Sequence, residues 1–234
     1  MGALRRMREV LGRVPFTLLT LVLVVAFGVA THAPLHHLSP GSLAELSYAP
    51  TDLTHFTEWW RLVVSAGFTE GGRAFWEALL GVGFLVGVSE WRAGTVWAAA
   101  TFWGAHLASV VIESLAIALP LSWLHLPLGA DLAASAGVGA SAGYLGSLGL
   151  AVATLPPRWR YKAAVTILAL LVVLFILPVG QGTQRAVWLT DGVCHLVAFI
   201  LGFGAREWWW RREHASPALG LGPDDAGGLS SRVH

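Results

Sequence analysis

Charge is what this 234-residue sequence has least of: 12% of its residues are charged against 55% hydrophobic, where an ordinary soluble domain carries about 25% charge. With a mean hydropathy of +0.63, the chain is expected to be an integral membrane protein. Cysteine is almost absent. The single Cys194 excludes an intramolecular disulfide framework and any multi-thiolate metal site. The basic residues are scattered and the formal net charge is +1, so no patch exists to hold a phosphate backbone and no nucleic-acid partner is expected. Neither metal nor cofactor is expected, because His36 and His37, adjacent in a loop, make a poor ligand pair.

What the sequence does have is a series of apolar runs. Arg5, Arg6, Arg8 and Arg13 precede the first, over 14–30, which lacks a clear small-x-small cleavage site and is read as a retained membrane helix. A long mixed loop over 31–73 follows, with Pro34, Pro40 and Pro50 and an interfacial Trp59, Trp60 and Arg61. Further apolar segments are expected over 74–90, 95–118, 135–155, 162–179 and 187–205. Basic residues fall before the first segment and after the second (Arg92), the fourth (Arg158, Arg160, Lys162) and the sixth (Arg206, Arg211, Arg212). By the positive-inside rule this charge pattern fits six helices with both ends in the cytoplasm. The divisions are then a basic cytoplasmic N-terminus over 1–13, a membrane domain over 14–206 and a cytoplasmic tail over 207–234, rich in Gly, Pro, Asp and Ser from Ser216 and expected to be disordered.

Two residues in these segments can carry chemistry together. The stretch SAGVGASAGYLGSLGL at 135–150 sets the hydroxyl of Ser141 among Gly137, Gly139, Gly143, Gly146 and Gly149. Small residues at such spacings let helices approach closely in lipid. They account for the glycines by packing alone, and a serine among them is more often a packing residue than a nucleophile. His195 lies inside the last segment, where an imidazole is costly unless it pairs or faces a cavity. In the six-helix topology both enter from the outer face, Ser141 about six residues deep and His195 about eight, which differ by only about 3 Å. A nucleophile and its general base are therefore expected to meet in the outer half of the membrane.

These residues resemble the rhomboid family of intramembrane serine proteases. Gly139-Ala140-Ser141-Ala142-Gly143 is similar to the family's GxSG-type motif on its fourth helix, and His195 followed by Ala198 and Gly202 to its motif on the sixth. WWRLVVSAGF at 59–68, with Arg61, resembles the Trp-Arg signature of the family's first loop, and Gly87-x-x-Glu90-x-x-x-Gly94 the close of its second helix. The resemblance spans most of 14–206. It implies an all-α, polytopic six-transmembrane-helix bundle and a serine-type endopeptidase with a Ser141–His195 dyad and no acid. It implies transmembrane protein substrates cleaved near the outer membrane face, and a bacterial plasma membrane as the location.

Two departures stand against the pattern. Ala142 replaces a usual glycine, and in ungapped register Thr69, Ala74 and Ala78 occupy positions where active members carry histidines and an asparagine that help form the oxyanion hole. Backbone amides near Ser141, or His106 or Ser109 from the third segment, are the candidates to compensate. The alternative reading is a catalytically inactive rhomboid-like protein that binds membrane helices or lipid. Of the other polar residues, His106 and Glu113 share a face and are expected to make structural hydrogen bonds, with Glu113 hydrated near the outer interface. Glu90 is expected to satisfy loop amides. Asp191, four residues before His195, reads as a solvated carboxylate at a helix start, and Cys194 as a small buried hydrophobe.

Overall fold

The computed structural model describes residue 9 and residues 11–177 and 183–215, and every regular element among them is helical. Helix α1, Pro15–Ala30, starts on a proline whose missing N–H falls where a helix has no use for one. Its buried residues are Thr17, Thr20, Val24 and Gly28, while Leu19, Val22 and Val29 face outward. Small and polar residues inside with large apolar ones outside is the membrane arrangement, because lipid tails are as apolar as leucine and close packing alone decides which side turns in.

The loop after α1 holds α2, Pro40–Leu46, and α3, Trp60–Val64. Ser39 caps α2 by accepting from the Ser42 amide. At the other end, Arg61 Nη1 donates to the carbonyls of Ala44 (2.7 Å) and Ser47 (3.2 Å), and its Nε to Glu58 at 2.6 Å. The arginine of the Trp-Arg motif thus satisfies carbonyls that the end of α2 leaves open.

Beyond the loop come α4 (Arg73–Ala93), α5 (Thr95–Trp123), α6 (Pro127–Ala133), α7 (Ser141–Ala153), α8 (Pro157–Ile176) and α9 (Thr183–Ala215). Helix α5 widens by one residue over Ser114–Ala118, just before Pro120, whose nitrogen cannot donate to the preceding turn. By length and composition four helices can cross a membrane: α4, α5, α8, and α9 over Gln184–Glu207. Helices α1, of 16 residues, and α7, of 13, are apolar but shorter. The fold is therefore all-helical, with four candidate membrane-spanning helices.

The boundaries differ from the sequence expectation where polar chemistry, not hydropathy, sets them. The run over 135–155 is helical only from Ser141, because Gly137 pairs with Tyr48 in both directions (2.8 and 3.0 Å) and Gly139 takes φ +130°, a conformation open to glycine and strained for other residues. Helix α8 begins five residues earlier than the apolar run, on Pro157. Helix α9 continues past the apolar stretch to Ala215, so the first part of the expected tail is helical. The expected disorder from Ser216 and the arginines Arg5, Arg6 and Arg8 lie outside the described residues.

Helix α7 is the centre of the bundle, buried against α5 and α9. A Cβ added at Gly202 of α9 would overlap the Gly146 carbonyl of α7, and one at Gly149 would overlap the Phe199 carbonyl. Two helices this close leave room only for small residues, and Ala105, Ala142, Cys194 and Ala198 pack together between α5, α7 and α9. Gly143 faces the ring of Phe102. Helix α8 is the most peripheral, with Val165, Leu170 and Ile176 exposed.

Candidate active site

Ser141 is the first residue of α7. The segment leading to it is tied down by the first loop: besides the Tyr48–Gly137 pair, the Gly139 amide donates to the Ser65 carbonyl at 2.9 Å. Tyr48 is itself held through its hydroxyl, 2.9 Å from Ser114 Oγ on α5. Burial, opposed in part by that hydrogen bond, pushes the Tyr48 phenol above its ordinary range and keeps it neutral. The loop and α5 together fix where α7 starts.

A helix start leaves amides without partners. The first bond into α7 runs from the Tyr144 amide to the Ala140 carbonyl at 2.9 Å, so the amides of Ser141, Ala142 and Gly143 have no carbonyl inside the helix. These donors lie in the first turn of α7, which Ser141 opens. The two side chains expected as compensating donors are engaged elsewhere: His106 Nε2 donates to the Leu62 carbonyl at 3.0 Å, and Ser109 Oγ donates to the His106 carbonyl at 3.0 Å.

His195 comes to the same place from α9. Ser141 and His195 line one cavity of about 730 Å3, together with Thr69, Ala74 and Ala78. No hydrogen bond joins the dyad, for His195 Nε2 is buried without a partner. The positions read as departures from the family pattern do face the serine's cavity, and the two alanines bring it no polar group.

Asp191, partly exposed, does not stand at a helix start. Helix α9 begins at Thr183, which carries Asp191 inward to line the large cavity and also a smaller, adjoining one of about 40 Å3. His106, Glu113, Thr190 and Cys194 line the smaller cavity as well. Glu113 is not hydrated: it is 1% exposed, and Ser114 Oγ donates to it at 3.4 Å. Cys194 is buried, as a small hydrophobe, with its thiol 3.8 Å from the Ser109 carbonyl.

The supporting residues are placed as follows. Gly139 forms the turn before Ser141, Gly143 packs on Phe102, and Ala198 and Gly202 let α9 reach α7. Glu90 and Arg61 lie away from the cavity and hold the first helix and the first loop. Sequence reasoning missed Tyr48 and Ser65, because a loop tyrosine and serine give no sign of the backbone they hold.

Fold and site together define an all-helical protein with membrane-length apolar helices, whose central helix presents a serine, open amides and, across one cavity, an imidazole. Neither protein-family models nor curated proteins nor solved structures yield a match to the chain.

Proposed function

We propose that this chain is a rhomboid-like intramembrane serine endopeptidase that cleaves transmembrane protein substrates near the outer membrane face. The observation that carries the reading is the convergence of Ser141 and His195, from two helices, on one cavity. In this reading α1 and α7 also cross the bilayer, giving six helices, with both termini in the cytoplasm of a bacterium.

The chemistry follows from the groups present. Ser141 Oγ bonds to the scissile carbonyl carbon as its proton passes to His195 Nε2. The carbonyl oxygen becomes an oxyanion beside the amides of Ser141, Ala142 and Gly143, where preorganised donors act in a site of low dielectric constant. Collapse breaks the peptide bond; the leaving amine takes the proton from the imidazolium, and water activated by His195 then hydrolyses the acyl-enzyme. His195 Nε2 is free of other partners, and catalytic hydrogen bonds commonly tighten when substrate enters.

Ala74 and Ala78 favour a second reading, a rhomboid-like protein that binds membrane helices or lipid without cleaving them. Labelling with a fluorophosphonate probe separates the two. Wild type should label, and Ser141→Ala and His195→Ala should not. A folded wild type that takes no label would leave the binding protein as the reading to pursue.

A further inference from the structure

A groove of about 490 Å3 runs between α1 and α4, apart from the cavity of Ser141. Val14, Trp91 and Arg92 line one end of it, and Leu21, Gly83 and Phe84 the other. Two glycines in its wall lack the usual reason. A Cβ at Gly83 would come no closer than 3.9 Å to Leu21, and one at Gly87 no closer than 3.7 Å to Thr17, so the approach of the two helices requires neither glycine. Glycine inside a helix is less stable than alanine; what this pair provides is an open slot. Helix α4 also widens by one residue over Val82–Val86, the turn that carries Gly83 and Phe84, a distortion common at functional sites. The end at Val14 is basic. Arg92 lines it, exposed and without an ion pair among the described residues, and Arg13, also exposed, lies 4.7 Å over the Trp91 ring. No carboxylate lines the groove, and the neighbouring Glu90 is 1% exposed and already accepts four hydrogen bonds.

We propose that this groove holds an acyl chain of an anionic phospholipid, whose phosphate is taken by Arg92 and Arg13. Two complementarities select this occupant. Leu18, Leu21, Phe84 and Val88 give the slot walls as apolar as a hydrocarbon chain. Its end offers guanidinium groups, whose planar donors match a phosphate, beside an indole of the kind that settles at headgroup level. In the six-helix reading α1, of 16 residues, is about 24 Å long against a hydrocarbon core about 30 Å thick. Arg13, just before it, is thereby drawn toward the acyl region, where a cation without an anion is costly. A zwitterionic lipid fills the same slot but brings a cation of its own to the two arginines; an anionic one does not. The same reading places this end in the cytoplasmic leaflet, where anionic lipids attract basic groups. The site is independent of Ser141 and holds whether the chain cleaves its partners or only binds them.

The test titrates the full-length protein in detergent with phosphatidylglycerol or with phosphatidylcholine of the same chains, and native mass spectrometry counts the lipid retained. Wild type should bind phosphatidylglycerol about tenfold to thirtyfold more tightly than phosphatidylcholine, the range for two basic groups near a membrane surface. In Arg13→Gln combined with Arg92→Gln that ratio should fall several-fold. Gly83→Leu, whose Cβ the structure accommodates and whose side chain fills the slot, should weaken phosphatidylglycerol several-fold with both arginines in place. Glycerol phosphate, a headgroup without chains, should bind far more weakly than the lipid. A wild-type ratio near one overturns the proposal, as does a ratio that the double substitution leaves unchanged. Phosphatidylglycerol binding that Gly83→Leu does not alter places the lipid elsewhere, glycerol phosphate binding as tightly as the lipid makes the site one for free phosphate, and a lipid-free dimer gives the groove to a second copy; each of these also overturns it. Should Gly83→Leu not fold, the two arginine substitutions, both at exposed side chains, still decide.

Discussion

Glu90 shows how much one side chain can hold. Its carboxylate, 1% exposed, accepts from the amides of Phe16 (2.9 Å) and Thr17 (2.8 Å) and from the hydroxyls of Thr17 (2.7 Å) and Thr95 (2.8 Å). It thereby caps α1 and ties it to the turn between α4 and α5, with negative charge at a helix N-terminus, where the peptide dipoles favour it. Glu90→Ala would orphan four donors, of which the two on Thr17 are buried, at about 1 to 3 kcal/mol for each buried one before relaxation, so a net loss of about 2 to 4 kcal/mol is expected. Glu90→Gln keeps one acceptor oxygen and should fall between. Thermal unfolding in detergent checks the order; equal midpoints for Ala and wild type would remove Glu90 from this role. The acceptor was legible in the sequence as a carboxylate at a helix end, expected to take loop amides. Its partners were not, for nothing local to Glu90 shows that the amides it serves lie at the start of the first helix. Asp191 shows the same: its spacing to His195 was plain, but its place on the cavity wall depended on where α9 begins.

At the scale of elements, the contact that makes the site is α7 against α9. The glycines that permit it were legible, since small residues at helical spacing have few other uses in lipid. Which backbone each one meets was not. Gly202 abuts the Gly146 carbonyl, whereas nothing lies within 4 Å of a Cβ placed at Gly204. Gly202→Ala is therefore expected to push the helices apart and cost about 1 to 3 kcal/mol, with loss of fluorophosphonate labelling as His195 moves from Ser141. Gly204→Ala should be neutral or stabilising by up to about 1 kcal/mol. Equal effects of the two substitutions would show that the α7–α9 approach does not position the site. The start of α7 was hidden for a physical reason: hydropathy runs unbroken from 135 to 153, and only the pairing of Gly137 with Tyr48 and the turn at Gly139 stop the helix there.

For the whole molecule the open matter is how a 13-residue helix serves in a bilayer. At about 1.5 Å per residue, α7 spans about 20 Å of a hydrocarbon core about 30 Å thick. If α7 crosses, the remainder falls to the non-helical segment over 135–140, and irregular backbone at that depth is tolerable only where protein covers it or a water-filled cavity borders it. Here both conditions hold: loop carbonyls take the Gly137 and Gly139 amides, and Ser135, Ala136, Val138, Gly139 and Ala140 line the large cavity. The ends of neighbouring helices are also tied to one another. Arg13 lies over the Trp91 ring at 4.7 Å, joining the start of α1 to the end of α4, and Arg160 pairs with Glu207 at 2.9 Å, joining the start of α8 to α9 beyond its apolar stretch. If α7 crosses, its two ends differ in access. In a Cys194→Ala background, a charged, membrane-impermeant thiol reagent applied from outside should label Ala136→Cys through the cavity. It should reach Arg158→Cys, exposed in the first turn of α8, only once the membrane is opened. Both labelled from the same side would mean that α7 turns back within the bilayer, and Ser141 would then open on a cavity that an outer-face substrate could not enter as proposed.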